Sequence, residues 1–255
     1  MRITLILAAI VCTGVSCTTI TAPCDVAPRT VVFSFDDGPN NNEDTTARLL
    51  DVLKARGVKA SFALLGVNVE PAQDIVRRIR DEGHLIINHG YSERWAVYLT
   101  DDDFKENLVR GERAIAAALA EKTPAEPRAL FYRPQGGFYS ARQKQIWEAS
   151  GYVLAPTTIR VHDAVRGAAS KEEIISRVLK KVELHGGGII LLHDGHDSFS
   201  RMKTHLDKNP CLVYNSAYNR SFIPELVDEL IAALREKEYV LNGFDLVTAS
   251  TPRKR

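Results

Sequence analysis

The chain has 255 residues, of which 45% are hydrophobic and 25% charged, and its formal net charge at pH 7 is +1. This composition is ordinary for a globular protein, and the length suffices for one well-buried core. The near-neutral charge argues against nucleic acid as a main partner, and beyond the N-terminus no segment is long and apolar enough to span a membrane.

The first 17 residues have the pattern of an export signal. Met1 and Arg2 precede an almost uncharged apolar run over residues 3–15, and small residues stand just before Cys17. This arrangement is typical of a secretory signal peptide. A cysteine directly after a small residue resembles the lipid-attachment site of bacterial lipoproteins. We therefore expect export to a bacterial periplasm or cell envelope, with Cys17 as the only membrane anchor, and plain secretion as the alternative.

The segment that follows the export signal is polar and contains proline. Residues 18–29 are predicted to be a linker to the domain that begins at residue 30. Cys24 and Cys211 are the cysteines left after the signal, and an exported protein could pair them. The sequence leaves open whether they form a disulfide.

From residue 30 onward, strand-like and helix-like patterns alternate. The predicted strands cover residues 31–35, 60–65, 84–88, 129–132, 152–155 and 188–192, with short strands at 240–241 and 246–247. The predicted helices cover residues 43–56, 71–82, 102–121, 141–150, 171–184 and 224–238. Six or seven β-α units predict an α/β fold, either a parallel barrel or an open doubly wound sheet. A long polar stretch at 195–222 predicts a loop over the rim.

Two adjacent carboxylates, Asp36 and Asp37, end the first predicted strand. They repel each other, so stability alone gives no reason for the pair. The pair makes sense if a cation lies between the two, or if one binds a cation while the other accepts a proton. A polar turn after the strand is the alternative interpretation.

Polar residues also end other predicted strands, namely His89, Arg133 and the pair His193-Asp194. In parallel α/β folds, ligands bind at the carboxyl ends of the strands. We therefore expect these residues to converge with Asp36 and Asp37 on one rim.

Taken in order, these residues resemble the five-motif pattern of the polysaccharide deacetylases, the NodB-homology domains of carbohydrate esterase family 4. Residues 34–39, 83–92 and 187–194 resemble the first, second and fifth motifs. The resemblance covers about residues 30–247, and it predicts one such domain over residues 30–250. The family fold is a distorted (β/α) barrel of about seven parallel strands, which agrees with the alternation of elements.

The resemblance implies roles for the residues that match the motifs. Asp36 would be the general base, and His193 the general acid that protonates the leaving amine or alcohol. Asp37 and His89 would bind a divalent metal, with zinc expected and cobalt, iron, nickel or manganese as alternatives. This chemistry is reasonable, because an acetyl amide is a poor electrophile until a metal polarises its carbonyl.

The remaining matching residues would support these groups or contact the substrate. Arg133 would orient Asp36, and Asp163 would support the catalytic histidine. Leu191 would line the pocket for the acetyl methyl group, and the backbone N–H near Gly136 would help to hold the oxyanion. Pro134, in the same motif as Arg133, is counted with the substrate-binding residues.

The chain departs from the family pattern at three places. Glu93 stands where the family has its second metal-binding histidine. Because it is four residues beyond His89, a helical turn would point both side chains at one ion, and we predict that Glu93 is the third ligand. The third motif, at 133–137, lacks its aromatic wall, and the fourth, at 160–164, lacks its first aspartate and its tryptophan. The family's usual sugar specificity is therefore not assumed.

Two tryptophans and one histidine are interpreted as structural residues. Trp95 and Trp147 are predicted to pack in the core rather than to bind sugar, although Trp95 lies close to the second motif. His84 is predicted to have no role as a metal ligand.

The sequence therefore predicts an exported, metal-dependent deacetylase that acts on the N- or O-acetyl groups of a polysaccharide. N-acetylhexosamine units of peptidoglycan or a related glycan are the first choice of substrate. The alternative is a catalytically weak member of the same fold that binds glycans or the cell wall. The sequence gives no indication of oligomeric state.

Overall fold

A parallel β-sheet forms the centre of the computed structural model, which describes residues 17–20, 26–120, 130–163, 170–195 and 220–243. The strands are β1 Cys17–Thr19, β2 Thr30–Gly38, β3 Ala60–Leu64, β4 Leu85–Asn88, β5 Leu130–Tyr132, β6 Phe138–Ser140, β7 Tyr152–Leu154, β8 Ile159–Arg160, β9 Gly188–His193 and β10 Val240–Leu241. The helices are α1 Thr45–Arg56, α2 Gly66–Val69, α3 Gln73–Asp81, α4 Asp101–Leu119, α5 Ala141–Ala149, α6 Lys171–His185 and α7 Ile223–Glu236.

The main sheet has the strand order β7-β5-β4-β3-β2-β9-β8, and β10 pairs with the start of β2. All of these pairings are parallel. The seven strands of this path form a curled half-barrel covered by helices. The predicted α/β fold, a distorted barrel of about seven parallel strands, is confirmed.

The central strand β2 lies between β3 and β9, and every one of its residues is buried. Strands covered on both faces read as continuous apolar runs, which explains the sequence at 31–35. The main core packs the apolar faces of α1, α6 and α7 against this centre. None of the helices in the described ranges is long and apolar enough to cross a membrane.

Local signals explain where several helices begin and end. Ser140 and Gln143 form a reciprocal capping box at the start of α5, and Ser170 and Glu173 form another at the start of α6. Gly57 ends α1 in the left-handed conformation that glycine adopts without strain. The predicted helices at these positions are therefore observed within two residues of their predicted ends.

The N-terminal segment differs from its prediction. Residues 18–29 were expected to be a linker, but β1 pairs antiparallel with β6, in the register Thr18 with Tyr139. Ile20 is buried in a second core cluster that also contains Trp147. The N–H of Ile20 donates to the carbonyl of Gly137 at 3.0 Å, so residues 17–20 are part of the folded domain. A three-residue strand is too short to produce a recognisable alternation, which is why β1 was missed.

Several predictions lie outside the described residues. These are the export signal at 1–17 except for its last residue, the pairing of Cys24 with Cys211, the greater part of the rim loop at 195–222 and the strand at 246–247.

Candidate active site

The ends of β2, β4 and β9 meet at one edge of the sheet, where they surround a cleft of about 400 Å³. The cleft is lined by most of the residues that the sequence singled out: Asp36, Asp37, His89, Glu93, Gly136, Asp163, Leu191 and His193. Arg133 is fully buried behind Asp36. Pro134 is buried as well, and its carbonyl accepts from the N–H of Gly137 at 3.1 Å. The expected convergence on one rim is therefore observed.

A backbone irregularity turns both carboxylates toward the cleft. Successive residues of a regular strand point to opposite faces. Here the pairing of β2 with β3 shifts register between Asp36 and Gly38, and Asp37 has a positive φ of 71°. The side-chain amide of Asn68 donates to the carbonyl of Asp37 at 2.7 Å and helps to hold this conformation. Strained backbone of this kind is common at functional sites.

Asp36 lies in a fixed hydrogen-bonding environment. The guanidinium of Arg133 donates to the Asp36 carboxylate and, at 2.8 Å, to the hydroxyl of Ser34. A second nitrogen of Arg133 donates to the carbonyl of Ala155 at 3.1 Å. These contacts hold Asp36 in one orientation.

Asp37 and His89 fit two ligands of a divalent metal. His89 Nε2 lies 3.2 Å from Asp37 Oδ1, about the separation of two donors that share one tetrahedral zinc ion. His89 Nδ1 lies 2.7 Å from the carbonyl oxygen of Arg133, so it can carry the proton and leave Nε2 free to bind a cation.

The pKa values of this pair reflect their mutual attraction. Burial would raise the pKa of Asp37, but its hydrogen bond with His89 and the charges of His193, His89 and Arg220 lower it overall. Burial would lower the pKa of His89, but the charges of Asp36 and Asp37 raise it overall. The carboxylates of Asp36 and Asp37 therefore favour a positive charge at His89. A proton on His89 Nε2 would compete with a metal for that atom.

Glu93 lines the same cleft, but the prediction that a helical turn aligns it with His89 is wrong. Residues 89–95 form no helix, and Gly90 interrupts them with a φ of +79°. The i, i+4 spacing from His89 therefore does not align the two side chains. Within the described ranges, no three His, Cys, Asp or Glu side chains are grouped closely enough to hold one ion. Ligation by Glu93 stays a prediction that depends on the conformation of this loop.

His193 and Asp163 form a second polar pair across the cleft. Asp163 accepts from the backbone N–H of His193 at 2.8 Å through one oxygen, and its other oxygen lies 2.9 Å from Nδ1. Burial would lower the pKa of His193, but the charge and hydrogen bond of Asp163 and the charges of Asp37 and Asp36 raise it to about 9. The imidazole is therefore protonated at neutral pH and can donate a proton from Nε2.

Asp194, which follows His193, has a structural position rather than a place in the cleft. Its carboxylate accepts from the hydroxyl of Thr46 at 2.6 Å, and its backbone carbonyl accepts from the side chain of Asn40 at 2.9 Å. Burial, partly opposed by the Thr46 and backbone hydrogen bonds and reinforced by the charges of Asp37 and Asp36, raises its pKa to about 7. These contacts fasten the end of β9 to the segment that follows β2.

Three cleft or near-cleft residues were missed or misinterpreted from the sequence. Ile20 lines the cleft, although its segment was expected to be a linker. Trp95 lines it as well and is 43% exposed, so its interpretation as a core residue is wrong. Arg220 donates to the carbonyl of Asp163 at 3.0 Å, and no sequence signal pointed to it. Trp147 and His84 are buried, as expected of structural residues.

Comparison with known sequences identifies relatives over most of the chain. The sequence profile described as "Polysaccharide deacetylase" matches residues 25–155. An uncharacterised 30.6 kDa protein of Geobacillus stearothermophilus is 30% identical over 174 residues, which are 66% of this chain and 61% of that protein. A peptidoglycan-N-acetylglucosamine deacetylase of Bacillus cereus is 27% identical over 180 residues, 71% of this chain and 79% of that protein. In a second match to a Bacillus cereus enzyme of that name, identity is 40%, but only 30% of its length is covered. The chain thus spans less than two thirds of some of these relatives.

Solved structures share the fold. The family 4 carbohydrate esterase PdaA of Bacillus subtilis superposes with a TM-score of 0.68 at 21% identity, covering 89% of this chain and 83% of that one. A family 4 acetyl xylan esterase of Clostridium thermocellum, in complex with a cobalt ion, gives 0.64 at 26% identity, covering 86% and 91%. A family 4 pseudoenzyme of Bacillus anthracis gives 0.64 at 21% identity, covering 87% and 66%. The profile match, the arrangement of the cleft and the shared fold lead to one conclusion, that this chain belongs to the polysaccharide deacetylase family.

Proposed function

We propose that this protein is an exported, metal-dependent deacetylase that hydrolyses acetyl groups of a polysaccharide, with N-acetylhexosamine units of peptidoglycan or a related glycan as substrate. One observation carries the proposal. A carboxylate fixed by Arg133 and an imidazole fixed by Asp163 line one cleft, which Asp37 and His89, the two candidate metal ligands, line as well. A protein that only bound glycans would have no need for an acid and a base arranged in this way.

The residues of the chain divide the reaction between them. A bound divalent cation would polarise the acetyl carbonyl and lower the pKa of water, and Asp37 and His89 would hold it. Asp36 accepts the proton of the attacking water, because Arg133 holds the Asp36 carboxylate in the same cleft as Asp37 and His89. His193, protonated at neutral pH, donates its Nε2 proton to the departing nitrogen or oxygen. The acetyl C–N or C–O bond breaks, and the products are acetate and a free amine or alcohol.

The substrate preference is supported by the chain's relatives. The Bacillus cereus relative is named a peptidoglycan-N-acetylglucosamine deacetylase, and it matches over 71% of this chain. Acetylated xylan is the second choice, since the Clostridium thermocellum structure is an acetyl xylan esterase. In both cases the reacting group is an acetyl group on a sugar.

Acetate release from acetylated glycans tests the proposal. Purified protein would be loaded in turn with zinc, cobalt, iron, nickel and manganese, and acetate would be measured with N-acetylglucosamine oligomers, peptidoglycan and acetylated xylan. We expect turnover that depends on the metal and is lost in Asp36→Asn. Absence of acetate release with every metal and every glycan would contradict the proposal.

A second function is favoured by the composition of the metal site. Glu93 replaces a histidine of the family pattern, and the Bacillus anthracis structure shows that the fold also occurs in a pseudoenzyme. The second candidate is therefore a glycan-binding protein with little or no activity. Glycan binding without acetate release, together with no retention of metal, would select it.

Export and lipid attachment belong to the same proposal, because acetylated cell-wall glycans lie outside the cytoplasm. We expect a mature N-terminus at Cys17 that carries lipid. Mass spectrometry of the protein purified from membranes would check this. An unmodified N-terminus downstream of Cys17 would favour plain secretion.

A further inference from the structure

Three aromatic side chains are exposed side by side at the cleft: Trp95 and Phe138 line it, and Tyr98 packs against Trp95. Trp95 is 43% exposed, Tyr98 is 56% exposed and Phe138 is 38% exposed. Within the described part of the chain, no other aromatic residue is comparably exposed. We call these three residues the aromatic shelf.

The rings of the shelf form a continuous surface. The rings of Trp95 and Tyr98 are nearly parallel, 8° apart, with their centroids separated by 5.8 Å. The ring of Phe138 lies 6.4 Å from that of Trp95 and is tilted by 31°. Parallel and tilted rings at such distances attract one another, which favours one arrangement of the three side chains.

The backbone holds the shelf in place. Ala96, next to Trp95, is buried, and its carbonyl accepts from the side chain of Gln143 at 2.6 Å. The Trp95 ring lies directly on Gly136, where an added Cβ would come within 2.6 Å of the ring atoms. The glycine at this position, where the family pattern has a larger side chain, therefore gives the indole its place.

The shelf is continuous with the reacting groups. Trp95, Gly136 and Phe138 line the same cleft as Asp36 and His193. Exposure of apolar side chains to water is unfavourable. A cluster of such side chains beside a cleft commonly marks a ligand-binding surface. The Trp95 and Phe138 rings therefore lie where the parts of a substrate next to its reacting acetyl group would extend.

We propose that the aromatic shelf binds a sugar ring of the glycan chain, next to the sugar whose acetyl group is removed. A pyranose ring presents one face of C–H bonds, which packs flat on an aromatic face while its hydroxyl groups stay in water. The inference rests on the proposed function, because it assumes an N-acetylhexosamine polymer. It adds that the shelf replaces the aromatic wall missing from the third motif, and that the substrate has several sugar units.

Binding by Trp95 can be measured without catalysis. The chain contains two tryptophans, and Trp147 is fully buried, so a ligand-induced change in tryptophan emission would report on Trp95. Metal-loaded Asp36→Asn protein would be titrated with the N-acetylglucosamine tetramer and with the monomer. We expect an emission change with the tetramer at concentrations at which the monomer has no effect.

Substitutions on the shelf give the quantitative test. By calorimetry, Trp95→Ala is expected to weaken tetramer binding by about 5- to 10-fold, whereas Trp95→Phe retains most of it. Leu184→Ala is the matched control, because Leu184 is 78% exposed and precedes β9, at the opposite edge of the sheet. In otherwise wild-type protein, Trp95→Ala should raise the KM for tetramer deacetylation more than that for the monomer.

The outcomes separate this inference from the proposed function. Tetramer binding that depends on Trp95, in a protein that releases no acetate with any metal, would support the shelf and refute the deacetylase. Acetate release with equal tetramer binding by wild type and Trp95→Ala would refute the shelf and leave the deacetylase intact. Failure of the wild-type protein to bind the tetramer would also overturn the inference.

Discussion

The pair formed by Asp163 and His193 leads to a quantitative prediction for Asp163→Asn. The carboxylate accepts one hydrogen bond from the backbone N–H of His193 and contacts the ring nitrogen through its other oxygen. An asparagine can satisfy only one of these donors, because its second polar group is itself a donor. It also removes the negative charge that contributes most to the raised pKa of His193.

The size of the effect follows from the pKa. Burial lowers the pKa of His193, and the charge and hydrogen bond of Asp163 normally outweigh that effect. Without Asp163 the pKa should therefore fall from about 9 to its ordinary value of 6.5 or below. With a pKa of 6.5, the protonated fraction of His193 at pH 8 would fall about 30-fold, whereas at pH 6 it would change less than about 2-fold. A cation bound at Asp37 would lower the pKa of His193 in the wild-type protein and in Asp163→Asn alike. The difference in this pKa between the two proteins would therefore remain.

The assay is the pH profile of kcat for acetate release between pH 5.5 and 10. We expect the alkaline limb to move to lower pH in Asp163→Asn, with a much greater loss of activity at pH 8 than at pH 6. Asp228→Asn is the matched control, because Asp228 pairs with Arg56 on the outside of the fold. An alkaline limb that does not move would refute the assignment of His193 as the general acid.

Three further predictions concern the metal position. Asp36→Asn should abolish turnover while the protein retains its metal, whereas Asp37→Asn and His89→Ala should each lose it; elemental analysis together with acetate release checks both. Glu93→Ala should weaken metal retention by about 10-fold, as measured by competition with a chelator. Glu93→His should keep or increase acetate release with zinc. Unchanged metal affinity in Glu93→Ala would remove Glu93 from the ligand set. Only the neutral ring of His89 binds metal, and its neighbours raise its pKa above 6.5. The affinity for metal should therefore weaken as the pH falls below that raised pKa. An affinity that is independent of pH would contradict His89 as a ligand.

The sequence predicted those site residues that stand directly at the end of an apolar strand, because a polar residue there is visible as a local pattern. Asp36 and Asp37 end an apolar strand, and no packing argument explains such a pair, so their presence indicated function. His193 similarly ends an apolar strand, β9, whose other residues are all buried. Parallel strands bring their carboxyl ends together, and this rule alone predicted that these residues would meet.

The parts that were missed depend on contacts between distant segments or on local backbone conformation. Ile20 reaches the cleft only because β1 pairs with β6, more than a hundred residues further along the chain. Trp95 is exposed because Gly136 leaves room for its ring at a wall of the cleft. The helical alignment expected of His89 and Glu93 failed because a four-residue spacing has this meaning only in a helix.

If the chain is cleaved before Cys17 as we propose, the pairing of β1 with β6 links that cleavage to the integrity of the cleft. Ile20 forms part of the cleft wall, and only two residues lie between it and Cys17, so the two are about 10 Å apart in an extended strand. Cleavage before Cys17 would leave the wall whole, whereas cleavage beyond residue 20 would open a gap beside Gly137. If Cys17 carries lipid, the chain between the anchor and the cleft contains no spacer. The reach of the enzyme is then set by the thickness of the folded domain, and the glycan must come to the membrane surface to be processed.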